Sequence, residues 1–146
     1  MHKISFLQAG NGDCIHLESD GHHVIIDSGE ECPQLVYLVE AIQNKKEKID
    51  LFVITHYDAD HIKAMVSILE RLSVKDRRRL IKKVWFNATK VGFYGNDQQL
   101  SAQDATKVSK LLIESEIAWV SELKVGTKEK ISLNSAKNKT FLPDAS

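Results

Sequence analysis

Between residues 51 and 61 the chain reads Leu-Phe-Val-Ile-Thr-His-Tyr-Asp-Ala-Asp-His, and no other segment constrains the fold as much. The run 51–55 is continuously apolar up to its threonine, the pattern of a strand buried on both faces. Four potential ligands, His56, Asp58, Asp60 and His61, then fall within six residues. Sites in layered α/β folds gather just beyond the carboxyl ends of strands. Imidazole and carboxylate together suit zinc first, with manganese or iron as alternatives. Such ligands must stand about 2.0–2.2 Å from zinc, a geometry that a tight loop between a strand and a helix can hold. His56 and Asp58 can face one ion, and Asp60 and His61 a second. Two ions about 3.5–4 Å apart can share an attacking hydroxide. The competing reading is that Asp58 or Asp60 simply caps the helix expected over about 61–72.

The flanking sequence predicts alternating strands and helices. Residues 3–8, 14–18 and 23–27 read as strands. Gly10-Asn11-Gly12-Asp13 is a turn, and Asp20-Gly21 is a hairpin signal. Pro33 opens a helix whose inner face carries Leu35, Leu38, Val39 and Ile42. Lys83–Asn87 reads as a further strand, and residues 88–100 as a polar loop. A helix follows from a capping-box pattern at Ser101 to about residue 115, with Val108, Leu111 and Leu112 inward. One or two short strands are expected within 117–133. The order β-β-β-α-β-α-β-α describes a layered α/β (α+β) protein. One domain over 1–133 and a polar, frayed tail over 134–146 are expected.

Composition narrows the function classes. Hydrophobic residues make up 42% and charged residues 27%, ordinary for a globular chain. The formal net charge of zero hides an asymmetry: residues 1–73 hold 6 Lys/Arg against 12 Asp/Glu, and residues 74–146 hold 14 against 8. An acidic half suits divalent cations, and a basic half could face phosphates. The stretch Lys75–Lys83 is the densest basic run, read as either a solvated surface or a phosphate-binding patch. Two cysteines, Cys14 and Cys32, make no secreted disulfide framework. No apolar run approaches the ~20 residues of a membrane span, and the N-terminus has no long apolar leader core. The expected compartment is the cytoplasm, away from membranes. His16, His22 and His23 read as ordinary strand and turn residues. Asp13 and Asp27 read as carboxylates that hold loops by accepting backbone amides.

The loop at 55–61 resembles the T-H-x-[HD]-x-D-H motif of the metallo-β-lactamase superfamily, with Asp58 at the second ligand place. Gly10-Asn11-Gly12-Asp13, Ile26-Asp27-Ser28-Gly29 and Trp85-Phe86-Asn87 extend the similarity over about residues 3–120, toward the branch found in hydrolase domains of bacterial DNA-uptake (competence) proteins. The resemblance implies an αββα sandwich, two divalent metal ions bound by His56, Asp58, Asp60 and His61, and Asp60 orienting the attacking water. It also implies a metal-dependent hydrolase of phosphoester or phosphodiester substrates, a nucleotide or nucleic acid among them. The family further uses a later His, a bridging Asp and a final His. This sequence has no histidine after His61, and Lys63-Ala64 stand where the family usually has glycine. The expectation is therefore a sandwich truncated to its first half, with an incomplete site that can stand unfilled. Self-association or a completing partner segment would then cover the exposed sheet face. A non-catalytic metal- or partner-binding half-domain is the alternative. A DHH-type manganese phosphoesterase is a second one, since Thr55–Asp60 before an apolar helix resembles that family's loop.

Overall fold

The computed structural model describes residues 1–56, 58–86, 99–123 and 131–133. The eleven elements run β1 (His2–Phe6), β2 (Ile15–Ser19), β3 (His22–Ile26), α1 (Pro33–Asn44), β4 (Lys48–Ile54), α2 (Ala59–Arg71), α3 (Val74–Leu80), β5 (Lys83–Phe86), α4 (Gln99–Glu114), β6 (Ala118–Leu123) and β7 (Ile131–Leu133). All seven strands form one sheet in sequence order. β1–β2–β3 is an antiparallel meander, β3 through β6 are parallel, and β7 returns antiparallel to β6. Consecutive parallel strands in sequential order, joined by right-handed crossovers, put every crossover helix on the same face.

Register sorts the strand residues between two faces, because directly paired residues share one. Ile25, Phe52, Val84 and Trp119 line up across the helix-covered face, with Ile54 and Phe86 one layer on. They join Leu35, Val39, Ile42, Ile62, Met65, Leu69, Leu111 and Leu112 in the buried core. The other face carries Phe6, Ile15, Ile26, Val53 and Trp85 in one row, and Ile4, Leu17, Val24 and Leu51 in the next. Ile15, Leu17, Val24, Ile26, Val53 and Trp85 are only half-buried. Ile4 and Phe6 are 64% and 78% exposed. This apolar face has no helix over it among the described residues.

The Asp20-Gly21 turn is as expected, with both residues at positive φ (49° and 82°), the backbone of a tight two-residue hairpin. Three expectations needed adjustment. α2 begins at Ala59 rather than near 61, so Asp60 and His61 occupy its first turn. α4 begins at Gln99, two residues before the expected cap at Ser101. α3 was not foreseen, because the basic run 75–83 hid its signal. Ser73-Val-Lys-Asp76 is a capping box with aspartate: Ser73 Oγ accepts from the Asp76 amide at 3.1 Å and donates to Asp76 Oδ2 at 2.8 Å. The run is also less of a free cationic surface than it reads. Arg77 is buried and its Nε donates to Leu69 O at 2.6 Å, closing the end of α2. Arg78 pairs with Glu116 at 2.8 Å, and Lys83 is buried. The expected polar loop after β5 and the tail 134–146 lie outside the described residues.

Two glycines allow the loops around β4 to close together. Gly29 sits at φ +71°, and a Cβ there would meet Ala9 Cβ at 2.3 Å. Gly12 sits at φ +93°, and a Cβ there would meet the Asp60 carbonyl at 1.8 Å. Both the backbone angle and the space require glycine. Gly29→Ala is expected to cost about 3 kcal/mol of stability, since strain and a backbone clash add. A denaturant-unfolding midpoint unchanged by this substitution would contradict the packing described.

Candidate metal centre

The ligand loop leaves the carboxyl end of β4 and enters α2 within four residues. Thr55 and His56 are exposed, Asp58, Asp60 and His61 half-buried. The segment Asp27-Ser28-Gly29 at the end of β3 braces this junction. Ser28 N and Oγ both donate to His61 O, at 2.7 and 3.1 Å, and Ser28 Oγ accepts from the Met65 amide at 3.0 Å. Ala64 N donates to Gly29 O at 3.1 Å. The first turn of α2 is thus fixed to the neighbouring strand rather than left to fray.

Asp27 organises the candidate residues. It holds a positive φ of 55°, uncommon outside glycine and tolerated best by Asp and Asn. Its carboxylate accepts the Thr55 amide at 2.8 Å, the Thr55 hydroxyl, and His61 Nδ1 at 3.0 Å. These bonds settle the tautomers. Asp27 is 5% exposed and, ionised, can only accept, so His61 carries its proton on Nδ1 and presents the Nε2 lone pair outward. Thr55 gives its hydroxyl proton to Asp27, so the 3.1 Å contact with His56 is donated by His56 Nδ1. His56 therefore also offers Nε2. The two rings lie 4.9 Å apart, tilted by 40°. Asp60 Oδ2 stands 3.7 Å from His61 Nε2.

Asp58 occupies the N-cap position of α2 but makes no side-chain capping bond. The capping reading thus fails for Asp58, whose carboxylate remains available. A carboxylate that holds the far nitrogen of a metal-binding imidazole is the usual outer support of such a ligand, and Asp27 makes bonds of that form, directly to His61 and through Thr55 to His56. Imidazole and carboxylate are donors that suit a divalent ion. Of the four residues, Asp60 and His61 bring ligand atoms together at 3.7 Å; among the described residues, no three of His56, Asp58, Asp60 and His61 place ligand atoms all within 4.8 Å of one another. The sequence expectation for Asp27 holds, since it accepts an amide. That for Asp13 does not; its side chain is exposed and makes no hydrogen bond among the described residues. A cavity of about 460 Å³ lined by Gln43, Lys46, Lys48, Asp76 and Arg79 involves none of the four loop residues.

Asp27→Asn keeps the shape but presents an amide where His61 and Thr55 need an acceptor. It is expected to weaken divalent-ion binding at the loop about 10–100-fold. Calorimetric titration of the metal-free chain with zinc checks this, and an unchanged affinity would remove Asp27 from its assigned part.

The sequence reading missed a second cluster. His16, Glu18 and His23 place one ligand atom each within 4.8 Å of the others. The signal was present: a two-residue turn at 20–21 forces Glu18 opposite His23 and leaves His16 on the same face.

A strand-end loop of imidazoles and carboxylates, seated on a helix start and oriented by a buried aspartate, is the arrangement of a metal-dependent hydrolase. Residues 7–129 match the family described as the metallo-beta-lactamase superfamily, and the chain belongs to that superfamily. No curated protein matches it. No helix among the described residues is long and apolar enough to cross a membrane.

Proposed function

We propose that His56, Asp58, Asp60 and His61 hold divalent metal, zinc in preference to manganese or iron, for hydrolysis of a phosphoester, with a nucleotide or nucleic acid as the substrate class. The observation that carries the reading is the hydrogen bonding by Asp27 and Thr55, which engages Nδ1 of both His61 and His56 and leaves Nε2 of each to bind, that of His61 at 3.7 Å from Asp60 Oδ2. A bound divalent ion supplies Lewis acidity and lowers the pKa of a coordinated water toward about 7. Asp60 orients the attacking water through its free carboxylate oxygen, and the N-terminus of α2 favours the anionic substrate group. The phosphoester preference rests on the likeness to the DNA-uptake branch and on the basic second half. With Arg77, Arg78 and Lys83 engaged within the fold, that second support falls to the remaining lysines and arginines. The superfamily match leaves no part for the DHH-type reading.

A second reading, a metal- or partner-binding half without turnover, is favoured by one observation: no histidine follows His61 in this chain. Slow hydrolysis is the expected outcome for these 146 residues on their own. Zinc-loaded chain assayed on bis(p-nitrophenyl) phosphate should show weak turnover that Asp60→Ala abolishes. Turnover untouched by Asp60→Ala would reject the assigned site, and none at all would favour the second reading.

A further inference from the structure

We propose that His16, Glu18 and His23 form a second divalent-metal site, separate from the loop at 56–61, that takes a late first-row ion such as zinc or nickel. The cluster lies on the helix-covered face of the β2–β3 hairpin. Four residues of strand, roughly 13 Å, separate His23 from Asp27. His16 and His23 are 4% and 2% exposed, and Glu18 is half-buried.

Buried imidazoles need partners, and these have an ordered set. His23 Nε2 meets Glu47 Oε2 at 2.6 Å, and His23 Nδ1 meets His16 Nε2 at 3.0 Å. An ionised Glu47 only accepts, so neutral His23 carries its proton on Nε2 and turns the Nδ1 lone pair to His16. A ligand imidazole whose far nitrogen donates to a carboxylate is the support seen around bound metals. The 3.0 Å separation is close to the roughly 3.3 Å between two nitrogens on a tetrahedral ion with bonds of about 2.0–2.1 Å. The ion takes the place of the proton the two rings share, each ring turning so that its lone pair meets the metal.

Glu18 supplies the third ligand. Its carboxylate makes no hydrogen bond or ion pair among the described residues, yet it lies within 4.8 Å of both ligand nitrogens. The carboxylate faces two buried imidazoles and acts on His16 by charge alone, with no hydrogen bond holding it in the metal-free fold. Two nitrogens and one carboxylate suit zinc, nickel or copper rather than calcium or magnesium. Three protein ligands leave a position for water. The strand register would not have to change, since Glu18 and His23 are direct partners. A bound ion would tie the hairpin to the α1–β4 connection through Glu47.

The test uses the full chain with the loop silenced by His56→Gln, Asp58→Asn, Asp60→Asn and His61→Gln. Cobalt titration should give visible d–d bands that saturate at one equivalent, and zinc should displace them. Zinc should also raise the thermal midpoint. Glu47→Gln should weaken binding about 10–100-fold, and His16→Gln by more. Glu18→Gln replaces the carboxylate with a neutral amide of the same shape and breaks no hydrogen bond, so it should change the metal-free midpoint little while lowering affinity. A loop-silenced chain that binds no cobalt would overturn the proposal. So would cobalt binding that Glu18→Gln and His16→Gln leave intact.

Discussion

Replacing His61 with alanine is expected to weaken divalent-ion binding at the loop by about two orders of magnitude. Structural zinc sites are worth about 10–16 kcal/mol shared among four ligands, or roughly 3 kcal/mol each; at 1.4 kcal/mol per decade that is about a hundredfold. His61 should lie at the high end. It stands 3.7 Å from Asp60 Oδ2, and its Nδ1 bond holds Asp27 in place beside Thr55. Removing the ring deletes a ligand and also frees the carboxylate that orients His56. The double substitution His56→Ala/His61→Ala should then lose less than the sum of the two singles, because both act through Asp27. Zinc titrations of the loop in a His16→Gln background, which silences the second cluster, isolate this effect. Equal affinities for the parent and His61→Ala chains would contradict it.

The second large effect concerns the sheet face that no helix covers among the described residues. The 146-residue chain is expected to self-associate through the rows that contain Phe6, Ile15, Ile26, Val53 and Trp85. Monomers seldom expose more than a few hundred Å² of continuous apolar surface. Burying about 400 Å² at roughly 25 cal/mol per Å² offers about 10 kcal/mol before the cost of association. A second copy fits because β1 is an edge strand, and its Ile4 and Phe6 are among the most exposed large apolar side chains. An uncapped edge beside an apolar face invites pairing with an identical chain. Light scattering at micromolar concentration should show a dimer or larger species. Phe6→Glu with Ile4→Glu should shift it toward monomer and reduce binding of a hydrophobic dye. A parent chain that is monomeric and binds no dye would show that the face is covered.

Much of this fold was readable from the sequence because its signals are local. The apolar run at 51–55 marked β4, Pro33 marked α1, and Asp20-Gly21 fixed the hairpin and hence the register of β2 on β3. The loop was legible as a candidate site for the same reason, since four His and Asp side chains crowd into six residues. What stayed hidden depends on contacts between distant segments. Which face each apolar residue takes could not be read one strand at a time. Val24 and Ile26 take the face opposite the helices, whereas Phe52 and Ile54 take the core. Asp27 was recognisable as a loop-holding carboxylate, but its grip on His61, 34 residues away, exists only in three dimensions. α3 was missed because its helix start was read as part of a charge run. The His16–Glu18–His23 cluster was missed because each residue looks ordinary on its own strand.

If the 56–61 loop is a metal centre, diffraction from zinc-soaked crystals of the chain, recorded at the zinc absorption edge, should show an anomalous peak bounded by His56 Nε2, Asp58, Asp60 and His61 Nε2, with Asp27 still bonded to His61 Nδ1. A zinc-saturated crystal with no peak at that position would show that the loop does not hold the ion.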